Sequence, residues 1–280
     1  MLKRIAPLLL VTASLFAADT TYDGAKVHYE SYGKGKDAVV FIHGWTCDTT
    51  FWRGQAPIYE THRALLIDLP GHGQSAKPDI PYTQERFARA VEAVMRAAGV
   101  ERAVLVGHSM GGAVMLTFLR LFPAKVSGVV FVDAILPQTP KDAAAGAKQK
   151  AQIDTLVGQW RSPGYSDVAK VMIASMFSKN TTPAMREEIQ SRMMSAPQYV
   201  MASAFEGMFA MDPPRQGESY DVPAMAVMVK RDGSAYEARL RSVFPKLGKY
   251  EEWDGSGHFL MIESPERFNK VLEDFLSGLK

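Results

Sequence analysis

The run Gly107-His108-Ser109-Met110-Gly111 holds a serine between two glycines in the G-x-S-x-G spacing. A serine hydroxyl is a poor nucleophile at neutral pH. It becomes one when a base takes its proton, the backbone exposes it and donors receive the oxyanion that forms. The motif has this meaning only where a strand enters it and a helix leaves it. Here Val104-Leu105-Val106 precedes it as a buried apolar run, and Gly112 opens a helical stretch. The chemistry implied is acyl transfer, with Ser109 as nucleophile. Six histidines could supply the base: His28, His43, His62, His72, His108 and His258. His28 alternates with Val27 and Tyr29 on an edge strand and is expected to face solvent. His62 opens a strand. His43, His72 and His108 sit inside turn motifs and read as braces for backbone. His258 stands in a glycine-rich loop after the last strand and is the candidate base. Cys47 is the chain's one cysteine, so no intrachain disulfide can form, and Thr46 and Asp48 offer it no base. It reads as a small filler near the site.

Stepping outward, the elements needed to hold these groups are legible. Alternation over 20–32 predicts antiparallel edge strands. Continuous apolar runs at 38–42, 63–67, 103–106 and 126–132 predict strands buried on both faces. Phe87, Val91, Val94 and Met95 share one face of a helix over 83–98, which Gly99 ends. Strand and helix alternate, so a mostly parallel sheet flanked by helices is expected, an α/β architecture. The rhythm breaks over 137–212, which reads as several short helices and carries eight of the 15 methionines. It resumes with a strand at 224–229, and a final helix follows over 265–279. The expected organisation is a core of 19–136 and 213–280 with an inserted helical lid over 137–212. The lid methionines suit either core packing or an adaptable apolar pocket.

On these motifs the sequence resembles the α/β-hydrolase fold family, in its lid-bearing serine esterase and lactonase-like branch. His43-Gly44-Trp45 is similar to the family's turn after the third strand, and Asp68-Leu69-Pro70-Gly71-His72-Gly73-Gln74-Ser75 to its structural D-x-P-G-x-G-x-S loop. Gly255-Ser256-Gly257-His258 is similar to the loop bearing the catalytic histidine. The resemblance implies that the backbone N–H groups of Trp45 and Met110 form the oxyanion hole; Asp48 and Trp52 read as the cap and packing of the short helix after that turn. It also implies the chain order serine, acid, histidine. The acid has two candidates. Asp232 is the first choice, because it follows the strand 224–229 and Pro223 stands at the family's usual spacing. A departure is Val229, where the family often has glycine. Asp133 is the alternative, because Phe131-Val132-Asp133-Ala134 resembles the haloalkane dehalogenase branch, whose acid follows that strand.

The chain has 280 residues, 47% of them hydrophobic, with 32 basic and 30 acidic side chains. Lys3 and Arg4, the apolar stretch 5–16 and Ala17-Ala18 read as an export signal over 1–18. Its removal leaves 30 basic and 30 acidic residues. A periplasmic or secreted location in a bacterium is expected, with no stable membrane span after leader removal. No basic cluster points to nucleic acid. No H-E-x-x-H, paired cysteines or phosphate loop points to a metal or cofactor, and none is expected. The expected partner is a small apolar ester-like substrate. A carboxylic ester or lactone hydrolase using Ser109, His258 and an aspartate is the leading reading. The same triad could also run perhydrolysis, C–C bond hydrolysis or lyase chemistry. A ligand-binding protein with a vestigial triad is the rival from another class. A serine in the elbow argues against dehalogenase or epoxide hydrolase chemistry, where aspartate is the nucleophile.

Overall fold

Apolar runs and alternating stretches assemble into one sheet in the computed structural model, which describes residues 16–231 and 235–279. Strands β1 (Phe16–Tyr22) and β2 (Ala25–Tyr32) pair antiparallel across a turn at Asp23-Gly24. β3 (Asp37–Ile42) leads through a 3-10 turn, Thr49–Gln55, into a single helical turn α1 (Ala56–Tyr59) and then β4 (Ala64–Ile67). Helix α2 (Gln84–Ala97), β5 (Arg102–His108), α3 (Met110–Leu121) and β6 (Val126–Val132) follow in strict alternation. Four helices come next: α4 (Ala143–Trp160), α5 (Tyr165–Ser175), α6 (Pro183–Met194) and α7 (Gln198–Phe209). The chain returns to the sheet through β7 (Ala224–Val229), α8 (Tyr236–Val243) and β8 (Leu247–Trp253), and closes with α9 (Leu260–Glu263) and α10 (Pro265–Ser277).

Among the described residues the sheet has eight strands in the order β1-β2-β4-β3-β5-β6-β7-β8. β2 meets both of its neighbours antiparallel, and β3 to β8 run parallel. This is the mostly parallel architecture that the alternation predicts. The central strands are buried on both faces. Val40, Phe41, Leu65, Leu105, Val106, Val129, Val130 and Val227 have no solvent exposure, and each such side chain contributes about 1.5–3 kcal/mol by leaving water. Helix α2 starts where Thr83 accepts from the Arg86 N–H, and it buries the predicted face of Phe87, Val91, Val94 and Met95.

At the N-terminal edge one expectation lies mostly outside the described residues and another meets a difference. Most of the proposed leader lies outside the described residues, but Phe16, Ala17 and Ala18 are the first residues of β1 and pair with Ser31, Glu30 and Tyr29. His28 does not face solvent. Its ring is buried against the loop after β4, with Nδ1 2.8 Å from Asp19 Oδ1 and Nε2 3.1 Å from Gln74 Nε2. Alternation identifies which residues share a face, but it does not show that a loop will cover the outer one.

Candidate active site

Ser109 sits at the junction of β5 and α3 with φ 51° and ψ −116°, a conformation that L residues rarely hold. Neighbouring backbone enforces it. Ser109 N–H donates to Val132 O on β6, while Ser109 O accepts from Gly112 and Ile135 N–H at 3.0 and 2.8 Å. Gly111 permits the approach, since a Cβ there would lie 2.5 Å from Ile42 O. The strand-to-helix turn thus lifts the hydroxyl out of the sheet edge, as the motif requires.

His258 is held by its own loop. Its N–H donates to Met176 O at the end of α5 (2.9 Å), and its carbonyl accepts from His108 Nε2 (2.9 Å). His258 Nδ1 lies 2.5 Å from Asp133 Oδ2. Asp133 directly follows β6 with φ 38°, donates its N–H to Val227 O and has no side-chain exposure. Burial pushes its carboxyl up, but hydrogen bonds from Arg231 and His258 outweigh that and hold it well below the usual carboxylate range. An ionised Asp133 can accept only a proton-bearing Nδ1, and that tautomer carries its lone pair on Nε2. Among the two candidate acids, the structure brings Asp133 to the histidine. Asp232, the first choice from the sequence, lies outside the described residues. Asp133 reaches the site because β6 is the strand next to β5, so its end lies beside the elbow.

The turn Gly44-Trp45-Thr46 faces the elbow from β3, with Thr46 at φ 56°. Met110 opens α3, and the first N–H groups of a helix have no partner within it. The Trp45 indole is buried against Trp160 and Phe205 and donates from Nε1 to Met201 O (2.8 Å). It therefore ties the turn to the four-helix segment as well as lining the cavity. Asp48 accepts from Thr50 N–H at the start of the 3-10 turn, and Trp52 packs wholly buried behind it.

The other turn histidines are braces. His43 Nδ1 donates to Gly44 O and its Nε2 accepts from Leu69 N–H. Burial lowers its pKa. His72 Nδ1 donates to Pro70 O. Burial pushes His72 and His108 down to about 3, so both are neutral where esters are hydrolysed. Asp68 accepts from Thr49 and Gln74 N–H and fixes its loop, as the motif suggested. Cys47 is buried, which pushes its thiol well up and removes it as a nucleophile.

Ser109, Asp133, His258 and Trp45 line one cavity of about 760 Å³. One wall is apolar, from Leu136, Leu156, Met172, Met176, Phe205 and Met208. Met172, Met176 and Met208 line the cavity, Met208 belonging also to the core with Met193 and Met201. Sequence reasoning missed two groups at the site. Arg231 makes a two-pronged pair with Asp133, and Glu263 fastens the histidine loop. A basic residue beside the strand end after β7 was the only sign of the first. Among the described residues no three His, Cys, Asp or Glu side chains are grouped as metal ligands.

The Alpha/beta hydrolase family matches residues 39–271. The chain belongs to that family. As an α/β-hydrolase it is a hydrolytic enzyme. It is 28% identical over 276 residues to a 2-hydroxy-6-oxononadienedioate/2-hydroxy-6-oxononatrienedioate hydrolase of Paraburkholderia phymatum, covering 90% of this chain and 91% of the relative. An N-acyl homoserine lactone degrading enzyme, Est816, superposes with TM-score 0.72 at 26% identity, covering 92% of this α/β-hydrolase and all of that chain. A thermophilic esterase from Thermogutta terrifontis superposes with TM-score 0.80 at 24% identity over 95% of this chain and 99% of its own, a likeness of fold.

Proposed function

We propose that this α/β-hydrolase cleaves a carboxylic ester or lactone through an acyl-enzyme, with Ser109 as nucleophile, His258 as base and Asp133 as the acid. Ser109 Oγ loses its proton to His258 Nε2 and attacks the carbonyl carbon. The N–H groups of Trp45 and Met110 receive the oxyanion. His258 then passes the proton to the leaving alcohol, and the same steps with water release the acid. The observation that carries the reading is the 2.5 Å contact of His258 Nδ1 with the buried Asp133, in one cavity with a strained elbow serine. The apolar wall favours substrates with a hydrocarbon portion. Helices α4 to α7 act as a lid, of which α4, α5 and α7 supply much of this wall, and export through the apolar leader belongs to the same reading.

A fluorophosphonate probe should label Ser109 stoichiometrically, with the adduct mapped by peptide mass spectrometry and absent from Ser109→Ala. Failure of the folded protein to react would favour a binding protein with an inert triad. The relative named for an oxo-dienedioate supports a second reading, hydrolysis beside a ketone carbonyl. Product analysis on paired ester and β-diketone substrates separates the two.

A further inference from the structure

We propose that Arg231 is a positioning residue of the triad, which sets the plane of the Asp133 carboxylate and shares its charge, so that His258 works as a base to lower pH than it would beside a lone aspartate. The inference rests on Asp133 being the acid. Arg231 Nη1 lies 2.7 Å from Asp133 Oδ1 and Nη2 2.8 Å from Oδ2. Val229 N–H donates to Oδ1 at 3.1 Å, and Oδ2 is the oxygen that meets His258 at 2.5 Å. The carboxylate is thus gripped on both oxygens, and one of them is shared between a guanidinium and the imidazole.

Two consequences follow from this geometry. Val229 N–H and His258 each bond one oxygen, and the planar fork adds a coplanar bond to both, which holds the carboxylate more firmly in one plane. Lysine, a point charge, cannot do the same. A cation on the same carboxylate also weakens the attraction that favours imidazolium, which acts against protonation of the base. The remaining groups around the pair do not supply this effect. The His108 ring lies tilted against His258 with centroids 4.6 Å apart, but it is neutral. Tyr236 on α8 and Tyr250 on β8 are phenols that burial pushes further up. Arg239 and Glu252 line the cavity from α8 and β8, opposite in sign. Glu263 is engaged with the Gly257 N–H. Arg231 has 56% side-chain exposure and its pair partner none, so the fork is the link between a buried acid and solvent.

The test is kcat and KM on p-nitrophenyl butyrate from about pH 5 to about pH 9, the range in which histidine titrates, for wild type, Arg231→Met, Arg231→Lys and Asp133→Asn. Arg231→Met should move the acid limb up by about one pH unit. It should also lower plateau kcat about tenfold with KM unchanged, as expected when only positioning is lost. Arg231→Lys should return the limb toward wild type and leave kcat depressed. If Arg231→Met does not fold, as judged by its thermal melt, the Lys variant decides: depressed kcat with a wild-type limb supports the role, and wild-type kcat overturns it. An unmoved limb in folded Arg231→Met, with Asp133→Asn inactive, overturns the role of Arg231 while leaving the triad intact. Full activity in Asp133→Asn overturns the triad reading itself.

Discussion

Ser109 reaches the cavity with a φ of 51°, and that strain is sustained by Val132, Gly112 and Ile135 rather than by its own side chain. Replacing it with alanine removes the proposed nucleophile and leaves the turn in place. Ser109→Ala should therefore lose about 10⁴-fold or more in kcat on a p-nitrophenyl ester while its melting temperature stays near wild type; steady-state kinetics beside a thermal melt check both halves. The elbow was legible because a five-residue motif carries its own geometry. The acid was legible only as a pair of candidates. Asp133 and Asp232 each follow a strand of the sheet, and a linear sequence does not say which strand end faces His258. Arg231 was not legible, because its role exists only once β6 and β7 lie side by side.

The next level is the way loops and helices fasten one another. The histidine loop is joined to the segment after α5 at several points. His258 N–H donates to Met176 O, Asn180 Nδ2 to Gly255 O, and Glu263 accepts from Gly257 N–H and from the hydroxyls of Ser178 and Thr181. A Cβ at Gly257 would lie 2.6 Å from Glu263 Oε1, so a side chain there would break the junction. Glu263→Ala leaves these donors without an acceptor. It should lower kcat about tenfold or more through a displaced His258 and speed proteolysis between α5 and α6, with Glu263→Gln nearer wild type. Proteolysis at wild-type rate together with unchanged kcat would contradict the coupling. The helices over 137–212 were readable from composition and the lack of buried strands, and α4 to α7 fall within that range. Their attachment to the base was not readable, since it depends on hydroxyls and carbonyls that no periodic pattern marks.

Across the whole molecule, a sheet buried on both faces supplies rigidity, and paired carboxylates make that stability depend on pH. Arg120 grips Glu218 at 2.8 and 2.9 Å. Burial pushes the Glu218 carboxyl up, but hydrogen bonds from Arg120, the Arg215 N–H and Tyr220 outweigh it and bring it down to about 2. Its folded pKa is below its unfolded value of about 4.3. Its contribution is therefore complete above that value and is lost as pH falls toward about 2. The melting temperature of Glu218→Gln should be below wild type at neutral pH, and the gap should close as pH falls below about 4; a gap that stays constant with pH contradicts this. Parallel order and the core were plain in the apolar runs, because strands buried on both faces have no polar positions. The His28 network was not, because its covering loop comes from far along the chain. All three levels meet in the junction of Asp133 with His258. The measurement that bears on it most directly compares kcat/KM of Asp133→Asn and Asp232→Asn on one p-nitrophenyl ester. The arrangement described predicts a loss of about 10³- to 10⁴-fold for Asp133→Asn and near wild-type turnover for Asp232→Asn. The opposite ranking would contradict it.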